Sequence, residues 1–394
     1  MDFTQHNEEV RQVWQAYREG KPTRVPMILC TEMRWYLLDP ELNKDGTTWE
    51  EYLNDPRIMF EYCLKHAYAV RHRIPYQDAI MGIPDEHWEV APFFANIIDE
   101  AWFGCEIAYL DGQPATTRPR FAGKHKFEVL ERGIPGPFDG ILGKIRAYYE
   151  IFKDLAANRE FYGRPVKIGL PQLGFDGILT VANGIRGPEI LEDLLKDEDY
   201  YHALMNLVTE ASIGRIKAWR QYCGVDPLPL RGGIADDAIQ FISTSLYREK
   251  VMPYHKRFIS ALYGEGPHSM HLCGNVQRHL PTIVKELNVK SFDTGYPINF
   301  TTLRDQVGED VEIRGGVKVP DLLNCSPDEI VAKTRDILTS GIKRGGKFIL
   351  AEANDLAPCV PLPNLEAMYA ANQEFGQYPS EERSGFSQGL KTLT

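Results

Sequence analysis

From Val166 onward the chain repeats one pattern: a short apolar run, a turn, then a stretch with helical periodicity. VKIGLP leads into helical material through about Tyr222, and PLPLRGG into a helix around SLYREKVMPYHKRFISALYG. HSMHLCG then precedes QRHLPTIVKEL, VKSFDTG a helix near LRDQVG, VEIRGGV the segment SPDEIVAKTRDILTSGI, and KFILAEA the segment NLEAMYAANQEFG. A helix between two strands returns the chain to the end where it started, so successive strands run parallel. With RVPMILC at 24–30 at least seven such units are present, and one more fits in an irregular region. The pattern predicts an α/β fold, a (β/α)8 TIM barrel.

Such barrels take roughly 250 residues, and the 394 residues here leave room for additions. One is an N-terminal helical elaboration: NEEVRQVWQAYRE, 7–19, reads as a helix capped by Asn7, and a second helix begins at about Asp55. The other is an irregular aromatic insertion at about 75–137, with β-like pieces such as CEIAYL and KHKFEVL. Residues 1–380 are expected to form a single barrel domain, with 381–394 a polar tail. An open doubly wound sheet is the runner-up, but no GxGxxG or P-loop stands at a strand end to support it.

The net charge of -11 and pI near 5.5 argue against a general affinity for nucleic acid or acidic membranes, which clustered Lys and Arg drive. A small-molecule substrate is the expected partner. The start MDFTQHNEEVRQ is polar and acidic, and no run of 18 apolar residues occurs, so a cytoplasmic location is expected. Seven cysteines without a CxxC spacing read as reduced thiols, mostly core residues. The residues leave the oligomeric state open, a homodimer included.

The active site of a barrel is built at the C-terminal ends of its strands. The polar residues there are Asp236 and Asp237, His271 and Cys273, Asp293 and Tyr296, Arg314, and Glu352, Asn354 and Cys359. Strand period two points His271 and Cys273 to one side, where both reach a single ion at zinc-ligand distances. A third ligand and one open position would complete a catalytic zinc site. Cys359, arriving on the same face, is the first candidate; Glu352 serves in its place or beside it, and Cys325 is weaker because it precedes a helix start.

Structural readings compete at each position. A histidine near a strand end is often only a hydrogen-bonded pocket residue. Asp236 and Asp237 serve equally as turn formers. Arg314 either balances Asp293 or binds an anion, and His255 reads as structural. FFANIIDEAWFG reads as packing, with Asn96, Asp99 and Glu100 available to line a pocket.

In order, REGKPTRVPMIL, DDAIQFISTSLYREKVMPYHKR, HSMHLCGNV, SFDTGYPINFTTLRDQVGEDVEIRGGV, SPDEIVAKTRDIL and LAPCVPLPNLEAMYAA resemble the uroporphyrinogen decarboxylases and the related methylcobalamin:coenzyme M methyltransferases. The resemblance covers most of the chain outside the aromatic insertion, and it implies a (β/α)8 barrel with a cleft at its C-terminal face. The decarboxylases carry an MRQAGRYL-like arginine loop after the first strand. Here CTEMRWYL keeps only Arg34 and Tyr36 of it, and Asn96 stands near the position of the family's catalytic aspartate, with Asp99 three residues on. An octacarboxylate needs several cations, so the methyltransferase branch is the nearer one.

That branch binds zinc through a His-x-Cys pair, matched by His271 and Cys273, and a distant cysteine. Its cysteine falls near Asn354, while this chain offers Cys359 five residues later. The resemblance implies a zinc-activated thiolate that attacks a methyl group held on cobalt. Because no DxHxxG segment of the kind that clamps corrinoids occurs, the corrinoid would be a co-substrate, free or on a partner corrinoid protein. Under this reading Asp236, Asp237, Asp293, Arg314 and Glu352 do chemistry, and Arg34, Tyr36, Asn96, Asp99, Tyr296 and Asn354 bind substrate. The competing readings are a metal-free decarboxylase or lyase of a smaller carboxylated molecule, using Arg34, Arg314 and Asp236, Asp237 or Asp99, and a silent barrel that binds a small ligand.

Overall fold

The computed structural model describes residues 2–171, 175–225, 228 and 233–379. The tail read at 381–394 and most of the PLPLRGG strand lie outside the described residues. The described residues form two compact units, one drawn from 1–44, 66–85 and 267 onward and the other from 45–65 and 86–266.

The first unit is α/β. Four strands, His268–Leu272, Val289–Thr294, Glu312–Lys318 and Phe348–Ala353, pair parallel in that order. Helices Leu280–Leu287, Phe300–Val307 and Pro327–Thr339 make the crossovers, each burying an apolar stripe such as Leu280, Ile283 and Leu287. The last helix starts where the sequence places it, because Ser326 and Glu329 form a capping box that satisfies two otherwise unpaired N–H groups. Strand Phe348–Ala353 is buried along its whole length, as the apolar run FILA requires.

The RVPMILC segment lies beside this last strand. Ile28 N–H donates to Leu350 O at 3.0 Å, and Leu350 N–H to Pro26 O at 2.9 Å. Only a bridge, Met27 with Leu350, forms instead of a full strand. Side chains account for the difference. On the far edge Met27 N–H donates to Asp78 Oδ2 at 2.7 Å and Leu29 N–H to Gln77 Oε1 at 3.0 Å, and Cys30 N–H donates to Glu352 Oε1 at 2.9 Å. Every non-proline residue must place its N–H, and here carboxylates and an amide replace a neighbouring strand. Among the described residues of this unit the sheet is therefore an open parallel run with one bridged edge.

The N-terminal helix spans Thr4–Arg18, three residues earlier than Asn7 predicts. Asp2 accepts from Thr4 N–H at 2.9 Å, while the Asn7 amide exchanges hydrogen bonds with the Met81 backbone. Asn7 pins the helix to a loop instead of capping it.

In the second unit, strand Trp88–Val90 pairs parallel with Arg164–Ile168, so the irregular region does supply a strand. CEIAYL contributes Glu106–Ala108 to a hairpin with Thr116–Arg118. KHKFEVL is instead a 3-10 turn, Gly123–His125, followed by helix Glu128–Arg132. Strand Gly233–Ala235 ends at Asp236. The helix expected around SLYREKVMPYHKR carries one π-helical turn, Tyr247–Val251; Pro253, which lacks an N–H, follows directly, and the loss of one i→i−4 bond there favours such a bulge.

Glu100 in this unit is 6 % exposed, and its Oε2 has no hydrogen-bond partner among the described residues. Burial, with the charges of Asp99 and Asp176 behind it, pushes its pKa up to about 8. The folded state then holds a proton that the unfolded chain releases near pH 4.5. This group's contribution to stability is full below about pH 4.5 and lost as pH rises through about 8. Urea midpoints measured from pH 5 to 8 should fall in the wild type, with a flatter profile in Glu100→Gln; equal slopes would refute it.

Candidate functional site

Parallel pairing sets His271, Asp293 and Arg314 side by side on three adjacent strands. His271 Nδ1 lies 3.1 Å from Asp293 Oδ2, and its Nε2 lies 3.3 Å from Cys273 Sγ. Cys273 follows the last residue of its strand, Leu272. Burial would lower the His271 pKa, but the hydrogen bonds to Asp293 and Cys273 outweigh it and push it up to about 11. Burial likewise opposes ionisation of Asp293, yet His271 and the Arg314 charge hold it below the usual carboxylate range.

The pair suits a metal. Two ligands of one tetrahedral zinc, with bonds of about 2.3 Å to sulfur and about 2.0 Å to nitrogen, stand roughly 3.6 Å apart, close to the 3.3 Å seen. Room is left on the sulfur: a Cβ at Gly295 would sit 2.9 Å from Cys273 Sγ. No other His, Cys, Asp or Glu among the described residues of this unit has a ligand atom within 4.8 Å of both. The structure thus brings together His271, Cys273 and Asp293. It does not bring Cys359, Glu352 or Cys325 into the same sphere.

Cys359 is exposed, in the left-handed region at φ 60, and burial, with the charge of Asp39 adding to it, raises its pKa. Cys325 ends helix Val319–Asn324, and its carbonyl accepts from Asn364 Nδ2 at 2.9 Å. Asn354 holds φ 121, a conformation that costs a non-glycine residue energy. Tyr296 is 38 % exposed and lines a 210 Å³ cavity with Ile298, Phe300 and Val317.

Glu352 is 1 % exposed. Its Oε1 accepts from Cys30 N–H, and its Oε2 is without a hydrogen-bond partner among the described residues. Burial raises its pKa well above the carboxylate range, against the pull of Arg314. Arg314 is half-buried and makes no side-chain hydrogen bond or ion pair among the described residues, and its Nε is buried and unpartnered. Orphaned polar groups of this kind are rare in folded interiors and need a reason.

Arg34 is committed elsewhere. It donates to Glu32 Oε2 at 2.8 Å and to Asp355, which ties the loop after RVPMILC to the loop after the last strand. Burial raises the Cys30 pKa out of the reactive range, and Asp355 adds to it. Glu32, also raised by burial and Asp355, feels the charge of His271. Sequence reasoning missed Cys30, Glu32 and Asp355 as members of this mouth; the strand-end rule applied to the first segment would have found Cys30. Tyr36 is buried against His66, ring centroids 6.3 Å apart.

The remaining candidates lie in the second unit. Asp236 is fully buried. It accepts from Leu179 N–H, Thr180 N–H and the Thr180 hydroxyl and lies 2.9 Å from His255 Nε2. His255 Nδ1 is 3.1 Å from Tyr247 Oη. This network holds the start of helix Ile178–Arg186 in place, which also gives His255 its structural role. Asp237 opens a 3-10 turn, Asp237–Phe241. Asp99 is buried and ion-paired with Arg215 at 2.7 Å, whose guanidinium lies over the Trp102 ring. Asn96 is exposed in a kinked turn.

The uroporphyrinogen decarboxylase (URO-D) family profile matches residues 90–375. Two curated relatives, both methylcobamide:CoM methyltransferase MtaA, are from Methanosarcina barkeri. One is 24% identical over 368 residues, covering 91% of this chain and 96% of the relative. The second, from strain Fusaro / DSM 804, is 23% identical over the same shares. Among solved structures, a methyltransferase from Methanosarcina mazei superposes with a TM-score of 0.62 at 21% identity, over 93% of this chain and 98% of that one. No described helix is long and apolar enough to cross a membrane.

Proposed function

The chain belongs to the uroporphyrinogen decarboxylase family, and from that premise we propose that it is a methyltransferase moving a methyl group between a corrinoid and a thiol or similar acceptor. The observation that carries the reading is the 3.3 Å approach of His271 Nε2 and Cys273 Sγ, with Nδ1 already engaged. The names of the MtaA relatives support the choice of branch. The fold proposed is the (β/α)8 barrel that the strand–helix alternation predicts, working in the cytoplasm. The corrinoid arrives free or on a partner protein.

His271 and Cys273 would hold zinc. Bound there, the ion supplies Lewis acidity that lowers the pKa of an incoming thiol. The chain's own residues do the rest. Cys273 carries the negative charge on the sulfur side, His271 presents Nε2, and Gly295 keeps the approach to the sulfur clear. Tyr296 and its cavity stand beside Gly295 and offer the acceptor an apolar wall. The acceptor and one further donor would complete the site; Cys359 or Glu352, the donors read from the sequence, would have to move toward His271 and Cys273 to supply it.

The test is metal content together with methyl transfer from methylcobalamin to small thiols. About one zinc per chain and thiol-dependent demethylation support the reading; a folded, metal-free protein that never demethylates overturns it. Gly295→Ala probes the open face. Its Cβ meets sulfur and backbone inside van der Waals distance, so zinc affinity should fall at least about tenfold, as for other disturbed ligand shells. Competition against a chromophoric chelator measures this, and unchanged affinity would contradict it.

One observation favours a second reading. The orphaned Arg314 and the buried Glu352 Oε2 suit a carboxylated small molecule, as in a metal-free decarboxylase or lyase. Carbon dioxide release abolished by Arg314→Met would establish it.

A further inference from the structure

The geometry points to Asp293 as a positioning residue that fixes the His271 ring so that Nε2 alone faces the metal position beside Cys273. The inference rests on the proposed zinc reading and adds a residue to it. Three observations carry it.

The first is register. His271 and Asp293 are direct Cα partners on adjacent parallel strands, and partners in a parallel ladder project to the same face. Asp293 therefore reaches His271 from a rigid backbone and not from a loop. The second is the pair of contacts: Asp293 Oδ2 takes Nδ1 at 3.1 Å while Nε2 stands 3.3 Å from Cys273 Sγ. An imidazole has two nitrogens, and a carboxylate that accepts a hydrogen bond from one assigns the other as ligand.

The third is what surrounds Asp293. Arg314 is its register partner on the other side and places a positive charge near it without forming an ion pair with it among the described residues. Asp293 thus keeps its oxygen for the histidine. Had Arg314 closed a bidentate bridge on Asp293, the carboxylate would have been shared between two donors. The three side chains form one row: cation, carboxylate, imidazole.

Outer carboxylates of this kind typically contribute about 10–100-fold to metal affinity. The experiment compares wild type, Asp293→Ala, Asp293→Asn and Asp293→Glu. Zinc affinity, from chelator competition, should fall about 10–100-fold in Asp293→Ala and return in part in Asp293→Glu. The visible spectrum of the cobalt(II)-loaded protein should lose intensity or shift in Asp293→Ala, which a residue serving only stability would not cause.

A second readout needs no metal. In the metal-free protein, Asp293 shields the His271 Nδ1 proton from exchange, so a low-field imidazole resonance should be present in wild type and lost in Asp293→Ala. Equal zinc affinity in wild type and Asp293→Ala overturns the inference, as does a resonance that survives the substitution. Should wild type take up no zinc, the zinc reading fails by itself, and the resonance still decides whether Asp293 holds the ring.

Discussion

His271→Ala and Cys273→Ser should each empty the metal site and lower thiol methylation about a thousandfold in kcat/KM, which corresponds to about 4 kcal/mol of transition-state stabilisation. The reasoning is subtractive. A site that keeps one of these two donors has lost half of what the unit is seen to provide, and with it the Lewis acidity that makes a thiolate available near neutral pH. Both side chains are only half-buried, so neither substitution opens a core cavity, and the fold should survive. Zinc content by plasma emission, melting curves and the demethylation rate of methylcobalamin test the three statements separately. Wild-type activity in a zinc-free His271→Ala protein would sink the proposed function.

The largest expected effect on stability lies away from this site. Asp78→Ala should cost about 3–5 kcal/mol, because it leaves a buried guanidinium with only the exposed Glu9 carboxylate, 3.2 Å away, as counter-charge. Arg24 and Asp78 are 3% and 0% exposed and meet through two 2.6 Å hydrogen bonds. Asp78 also accepts from Met27 N–H and the Tyr369 hydroxyl, so four hydrogen bonds are lost at once. Burial works against the Arg24 charge, but Asp78 more than restores it. Urea unfolding measures the loss. Arg24→Met with Asp78→Leu should recover much of it, since apolar replacements of a buried pair are often tolerated, with the unpaired Met27 N–H as the remainder. A loss below about 1 kcal/mol in Asp78→Ala would show the pair to be screened like a surface bridge.

Sequence legibility followed the range of the interactions. The run from His268 to Phe375 reads cleanly because each strand is apolar, each helix amphipathic and the caps local, as at Ser326 and Glu329. The RVPMILC segment has the composition of a strand, but its edge is met by Gln77 and Asp78 side chains, and no periodicity announces that. Asn7 looks like a cap because capping residues also make long-range contacts, here with Met81. KHKFEVL alternates like a strand over a stretch short enough for a turn and a helix to fit equally well.

The same holds in the site. Period two makes His271 and Cys273 visible, and the strand-end rule makes Asp293 and Arg314 visible. Arg34 is different. Its partner Asp355 is some 320 positions away, and an arginine already holding two carboxylates reads in a sequence like one waiting for a substrate. Asp236 looks catalytic at a strand end, yet its oxygens are taken by Leu179, Thr180 and His255.

The pairing of RVPMILC with the last strand also bears on how the protein is made. Val25 N–H donates to Gly376 O and Tyr378 N–H to Thr23 O, so residues 23–25 find partners that leave the ribosome some 350 positions after them. At about 5–20 residues per second, residues 23–30 wait on the order of twenty to seventy seconds for the strand that completes their hydrogen bonds. During that time the apolar stretch is exposed, and Arg24 and the loop of Gln77 and Asp78, made only seconds later, are the groups at hand to cover it. The charged clasp of Arg24 and Asp78, costly to bury, would then act as a guard on a nascent edge.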